Sequence, residues 1–185
     1  MTGAIEQLQR GIHYFTDRIN VNLNMELKGR STGDDPNDFS QTSYGNGNVR
    51  HTIKDESHGT HVAGIIAAER NNGLGVDGIA NNALIMVIRA IPNGDEYDKD
   101  VALAIRYGAD NGAKVINTSF GKAYSPHSDK VREAIAYAAS KDVLIVNAAG
   151  NDAIDLDENE TYPNDAVDNG PEVADNFITV GALSP

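Results

Sequence analysis

From residue 83 to the end of the chain, short continuous apolar runs alternate with segments whose apolar residues recur every three or four positions. The continuous runs have the length of strands and predict strands that are covered on both faces. They are residues 83–89, 115–119, 143–148 and 177–181. Two segments between them, 100–111 and 129–140, carry their apolar residues on one side and predict amphipathic helices.

This order of strands and helices predicts an α/β domain, a three-layer α/β/α arrangement with a mostly parallel sheet. In open sheets of this kind, functional groups gather beyond the carboxyl ends of the strands. Ser119, Phe120 and Gly121 follow or end one predicted strand, and Asn151 follows another. These residues are therefore the first candidates for a functional site.

Residues 1–54 differ in character from the domain predicted at 55–185. Residues 4–10 are predicted to form a short helix or the tail of a longer one. Residues 29–50 are rich in Gly, Asn, Asp, Ser and Thr, as in a long surface loop. Because loops of this length are uncommon inside a compact domain, we interpret 1–54 as largely loop and as the tail of an insertion.

A further helix is predicted to begin at His58, the first residue of the segment H-G-T-H-V-A-G. Ser57 is a candidate N-cap, and the charges of Asp55-Glu56 suit the positive end of a helix dipole. Val62, Ile65 and Ile66 follow at helical spacing, which predicts that this side of the helix packs into a core. The His58 ring is then left at the exposed mouth of a firmly held helix.

Two glycines in this short helix, Gly59 and Gly64, each cost roughly 1 kcal/mol relative to alanine, so we expect other backbone to pass close to them. His58 and His61 have the spacing of paired metal ligands. However, the glutamate of H-E-x-x-H is absent and no third ligand is evident, which argues against a zinc site.

The composition excludes several classes of protein. The chain has 185 residues, no cysteine and a formal net charge of −12. An acidic surface argues against nucleic acid or an anionic membrane as a partner, and the lack of cysteine excludes disulfides and thiolate metal sites. No apolar run reaches the length of about 20 residues that a membrane span needs, and no signal peptide is visible in this segment.

Three segments together resemble the subtilases, the family of subtilisin-like serine proteases. H-G-T-H-V-A-G is similar to the histidine motif of the family, residues 115–121 to the strand that forms one wall of the substrate cleft, and residues 143–151 to the strand before the oxyanion asparagine. Gly78-Ile79-Ala80 is a weaker match to the G-V-A-P element. The resemblance covers residues 50–185.

The resemblance implies a subtilisin-like fold and a serine endopeptidase that hydrolyses peptide bonds through an acyl-enzyme. It implies a peptide or protein substrate, no required cofactor, and a secreted or cell-envelope location. His58 is then the general base and acid, and Asn151 is the oxyanion donor. Ala148, Ala149 and Gly150 form one wall of an open apolar pocket, and the segment at 119–121 forms the other.

Each of these assignments has a simpler alternative. Taken alone, His58 is a surface or helix-capping histidine. Gly150-Asn151 is a turn pair that ends a strand, and each wall is a tight turn after a strand.

Two motifs of the family are absent from the 185 residues. No D-[ST]-G precedes His58, since neither Asp17 nor Asp34-Asp35 has that context, and no G-T-S-M-A-x-P follows Asn151. Ser184 lacks the preceding Gly-Thr and is not expected to be a nucleophile. We therefore expect a partial catalytic domain that is inactive alone and that can self-associate through faces exposed by truncation.

The segment at 155–160 begins like an EF-hand loop, with Asp155, Asp157 and Asn159. Glu160 stands where that loop requires glycine, and Ala166 where it requires a bidentate acid, so the segment is not an EF-hand. The resemblance leaves calcium possible but unplaced, and a solvated acidic loop is the alternative.

Two other functions compete with the peptidase. One is a non-catalytic, peptide-binding domain of subtilase-like fold that has lost its serine. The other, a nucleotide-binding domain, is disfavoured because neither G-x-G-x-x-G nor G-x-x-x-x-G-K is present.

Overall fold

The computed structural model describes residues 2–23, 32–50, 56–91 and 96–183. Three parts of the sequence-based predictions lie outside these ranges: the charge of Asp55, the first residues of the loop predicted at 29–50, and Ser184.

The N-terminal helix is longer than the predicted residues 4–10. Helix α1 spans Thr2–Asp17 and continues as a π-helical turn over Arg18–Asn22. The apolar spacing of three and four residues continues beyond Gly11 to Ile12 and Phe15, and both side chains are exposed. Residues 32–50 contain no helix or strand, in agreement with the loop composition of this segment.

Three parallel strands form the sheet, in the order β1-β2-β3. They are β1 (Val115–Thr118), β2 (Leu144–Ala148) and β3 (Phe177–Val180). Each strand lies within one of the apolar runs predicted from the sequence. In these three runs, the strand has a neighbouring strand in the sheet to pair with. The α/β class with a parallel sheet is confirmed, in the incomplete form that was expected.

The prediction of a strand at residues 83–89 is wrong. Within the described residues this segment joins no β-ladder, and Leu84 is 99% exposed. The side chain of Ile88 does lie near Gly108 and Ile116. The segment therefore passes beside the domain without pairing to a strand, so the apolar run lacks the backbone partners that a central strand needs.

Two amphipathic helices cover one face of the sheet. Between β1 and β2 lies α4 (Ser128–Ser140), and before β1 lies α3 (Asp98–Asp110), each close to its predicted bounds. They pack on each other, and α4 also packs on β2. The buried core comprises Val101, Ala102, Ile105, Ala109, Val131, Ala134, Ile135, Ala138, Val143 and Ile145. The opposite sheet face is more open, since Val115 and Val180 are both half exposed.

Helix α2 spans His58–Ala67 and differs from the prediction in its cap and its packing. The Ser57 hydroxyl makes no capping bond because the residue already has a helical backbone; its carbonyl oxygen instead accepts the amide of His61 at 2.9 Å. No residue of α2 is buried, and Ile65 is 50% exposed. The prediction that the apolar side of α2 is buried in the core is therefore wrong.

The close backbone approach occurs at Gly78, not at the glycines of α2. A Cβ atom on Gly78 would lie 2.3 Å from the backbone nitrogen of Ala68, whereas one on Gly59 or Gly64 meets no described atom within 4 Å. Residues 78–80 donate three backbone hydrogen bonds of 2.8–3.0 Å to carbonyls at the end of α2. Because the last carbonyls of a helix have no partner within it, this segment fixes α2.

Candidate active site

The structure brings the two predicted cleft walls together at one edge of the sheet. Thr118 of β1 lies opposite Asn147 of β2 in the parallel ladder. The chain therefore leaves β1 into Ser119, and leaves β2 through Ala148, at adjacent points. Both walls project beyond the carboxyl ends of neighbouring strands, where open parallel sheets place their functional groups.

The wall at 119–121 is joined to a third segment of chain. Lys122 and Tyr162 exchange two backbone hydrogen bonds of 2.9 Å, and a Cβ on Gly121 would lie 3.2 Å from the Tyr162 carbonyl oxygen. A side chain at position 121 would therefore crowd this pairing. The Ser119 hydroxyl accepts a hydrogen bond from the Asn117 amide at 2.8 Å.

The wall at 148–150 is anchored on its other side to β3. The amide of Ala149 donates to the carbonyl of Val180 at 2.9 Å. Gly150 has φ +88°, a conformation that glycine adopts at little cost, and this turns the chain into Asn151. Asn151 is exposed, and in the described parts of the chain its carboxamide makes no hydrogen bond. The amide is therefore available to a ligand.

A buried carboxylate that sequence reasoning missed supports the first wall. Asp98, which is 5% exposed, receives the Ser125 hydroxyl at 2.7 Å, the His127 amide at 2.8 Å and the Lys122 ammonium at 2.9 Å. Burial raises the pKa of Asp98, but the hydrogen bonds from Lys122, Ser125 and His127 outweigh burial and hold the pKa below its usual range. The sequence feature that could have identified Asp98 is an acidic residue in the first turn of a helix.

The open apolar pocket predicted between the two walls stays a prediction, and the structure describes a different space, on the side of Phe120 that faces Asp98. A cavity of about 10 Å³ lies there, and Asp98 and Lys122 line it together with Val101. This volume is close to the minimum for one water molecule. In this structure, the space behind the Phe120 wall is therefore small and partly charged.

His58 lies at the start of α2 with an exposed ring. Glu56, just before the helix, forms a 2.7 Å ion pair with Arg89. Among the residues that the structure describes, no hydrogen bond or ion pair joins α2 to the ends of β1 and β2. The convergence of His58 and Asn151 on one substrate atom therefore stays a prediction.

The acidic segment after Asn151 is held by its own hydrogen bonds. The Asp155 carboxylate accepts the amide of Asp157 at 3.0 Å, and the Glu160 carboxylate accepts the amide of Asp168 at 2.7 Å. Within the described ranges, no group of three or more His, Cys, Asp or Glu residues is placed to hold a metal ion. The resemblance left calcium possible but unplaced, with a solvated acidic loop as the alternative, and neither is tested by this arrangement. None of the described helices has both the length and the apolar character required to cross a bilayer.

Comparison with known proteins shows the relatives of the chain. The profile of the subtilase family matches residues 11–185, beginning earlier than the expected residue 50. A thermophilic serine proteinase of Bacillus sp. (strain AK1) is 41% identical over 128 residues, which are 69% of this chain and 29% of that protein. The C5a peptidase of Streptococcus pyogenes is 37% identical over 147 residues, 72% of this chain and 13% of that protein.

A cell wall-associated protease of Bacillus subtilis (strain 168) is 42% identical over 107 residues, which are 57% of this chain and 12% of that protein. The chain thus spans less than a third of the length of each of these relatives.

Proposed function

The chain belongs to the subtilase family, and on that premise we propose that it forms part of the catalytic domain of a subtilisin-like serine endopeptidase. The observation that carries the proposal is the pair of cleft walls side by side at the carboxyl ends of β1 and β2. The wall at 148–150 is followed directly by Asn151, which is exposed. An exposed donor beside two backbone walls suits an extended peptide whose carbonyl is to be polarised.

In this proposal, His58 takes the proton of a serine hydroxyl and then delivers it to the leaving amine. Asn151 donates a hydrogen bond to the oxygen of the tetrahedral intermediate, where negative charge develops. The backbone of the two walls binds the substrate as an added strand.

We propose that the nucleophilic serine and the orienting aspartate come from parts of the protein beyond these 185 residues. The support is that neither family motif for them occurs in the chain. A chain without a nucleophile cannot form an acyl-enzyme, so the 185-residue chain is expected to be inactive alone.

A fluorophosphonate probe, which labels activated serines, tests both parts of this proposal. The 185-residue chain should stay unlabelled, whereas the complete protein expressed from its gene should be labelled. His58→Ala in the complete protein should abolish labelling, and the control His13→Ala, in the exposed helix α1, should not.

Labelling of the 185-residue chain would contradict the proposal that the nucleophilic serine lies outside these residues. Absence of labelling in the complete protein would contradict the proposal that it is a serine endopeptidase. Binding of a casein-derived peptide by that unlabelled protein would then favour the non-catalytic, peptide-binding alternative.

We further propose a secreted or cell-envelope location, supported by the cell wall-associated relative. Fractionation of cells that express the complete protein tests this, and recovery in the cytosol alone would contradict it. Self-association of the 185-residue chain is proposed through the open sheet face, where Ile178 and Val180 are half exposed. Sedimentation of the chain as a monomer at all concentrations would contradict this proposal.

A further inference from the structure

Asn147 interrupts the apolar pattern on the inner face of β2. On this face Ile145 is fully buried, and the next inward position is Asn147, which is only 3% exposed. Burying an amide costs free energy unless its polar atoms are hydrogen-bonded. A departure of this kind from the apolar rule often marks a place that serves a site.

The side chain of Asn147 connects three segments of the chain. Its Oδ1 accepts the hydroxyl of Thr118 at 2.7 Å. Its Nδ2 donates to the carbonyl of Pro163 at 3.3 Å and to that of Ala148 at 3.1 Å. Thr118 is the last residue of β1 and is also 3% exposed. One buried amide therefore joins the ends of β1 and β2 to the segment that pairs with Lys122.

We propose that Asn147 is a positioning residue that sets the two cleft walls relative to each other and thereby directs the carboxamide of Asn151. This inference rests on the proposed function. Asn151 follows Asn147 by four positions, and the chain between them turns at Gly150. A small rotation at the end of β2 therefore moves the Asn151 side chain. Misplacing a reacting group by about 1 Å can cost on the order of 10²-fold in rate.

Asn176 provides a matched control at the opposite end of the sheet. It precedes β3, is 9% exposed, and donates to the carbonyls of Val143 at 2.8 Å and Ile135 at 3.3 Å. Asn147→Ala and Asn176→Ala therefore each remove a buried amide that donates to two carbonyls, although among the described residues only Oδ1 of Asn147 also accepts a hydrogen bond. In the complete protein, Asn147→Ala should lower kcat about 10- to 100-fold, by a larger factor than it raises KM. Asn176→Ala should reduce stability and leave both constants near the wild type.

Two further variants separate positioning from general damage. Thr118→Val removes the hydroxyl that donates a hydrogen bond to Asn147, so this variant should also have a lower kcat. Thr118→Ser retains the hydroxyl and should preserve kcat. In an Asn151→Ala background, Asn147→Ala should lower kcat by less than about threefold, because the group that it directs is already gone. Additive losses, or equal losses in Asn147→Ala and Asn176→Ala, would overturn the proposal.

Hydrogen exchange gives a readout that does not require activity. Asn147→Ala should accelerate exchange of the amides at 148–151 about tenfold or more, while Asn176→Ala should not. Equal acceleration in both variants would overturn the positioning role. If the wild-type complete protein cleaves no peptide, the proposed function fails, and the exchange result still decides the role of Asn147.

Discussion

The ammonium group of Lys99 is fully buried at the start of α3, and its partner lies in the segment that precedes the histidine motif. Lys99 Nζ is 2.7 Å from the carboxylate of Asp34 and 2.7 Å from the carbonyl of Asp35. The two charged side chains are 0% and 4% exposed, and the ring of Tyr44 lies 4.5 Å from the ammonium. The segment from Asp34 to Tyr44 is therefore tied to the domain core.

Asp34→Ala removes the carboxylate and leaves the buried ammonium uncompensated. Breaking a buried ion pair in this way costs about 3–5 kcal/mol. For a chain of this length, each kcal/mol lowers Tm by roughly 2–4 °C. The free energy of unfolding should therefore fall by about 3–5 kcal/mol, and Tm by roughly 6–20 °C.

Urea unfolding of the 185-residue chain measures this effect, and two comparisons identify its cause. Lys130 and Glu133 are also 2.7 Å apart but are 40% and 55% exposed, so Glu133→Ala should cost less than about 1 kcal/mol. The double variant Lys99→Met with Asp34→Leu replaces the pair by apolar groups and should stay within about 1 kcal/mol of the wild type. A cost for Asp34→Ala no larger than that for Glu133→Ala would show that burial does not strengthen the Lys99–Asp34 pair.

Three further predictions concern stability. Because the pKa of Asp98 is lowered in the fold, its contribution to stability is present above pH about 3.8 and is lost as pH falls through the folded value. Asp98→Asn should therefore destabilise the chain at pH 7, and a Tm difference from the wild type that does not shrink as pH falls below 3.8 would contradict this. Burial, with the charge of Glu172, raises the pKa of Asp165, so the stability of the fold decreases as pH rises above 3.8. Asp165→Asn should therefore raise Tm at pH 7 but not at pH 3. An equal rise in Tm at both pH values would contradict this prediction. Gly78→Ala should lower the free energy of unfolding in urea by about 1–3 kcal/mol, because its Cβ would lie 2.3 Å from a backbone nitrogen. Gly64→Ala should instead raise this free energy by up to about 1 kcal/mol. Equal changes in the two variants would contradict the observed packing.

The elements that sequence predicted well are those in which one apolar face decides the structure. The apolar residues of α3 and α4, such as Ile105 and Ile135, do form the buried core. Residues 119–121 and 148–150 lie at adjacent strand ends, because parallel strands with helical crossovers place their carboxyl ends at one edge of the sheet. Local periodicity was sufficient here, since burial follows from a pattern within one segment.

The parts that sequence missed depend on contacts between distant segments. The apolar run at 83–89 gives no sign that its backbone remains unpaired, and Gly78 is not distinguished from Gly64 by its neighbours in sequence. The hydrogen bonds of Asn147 reach a residue 29 positions away and another 16 positions away. An inward-facing asparagine in an apolar strand was the only local signal.

Turnover of a peptide substrate by the complete protein with Asn151→Ala is the most direct test that the chain supplies an oxyanion donor. Asn151→Ala should lower kcat about 10²–10³-fold, which is the loss measured when the oxyanion asparagine is removed from a subtilisin. KM should change little, because the interaction forms in the transition state. The control Asn111→Ala, at the far end of α3, should retain the wild-type kcat. A kcat for Asn151→Ala within about threefold of the wild type would contradict the assigned role.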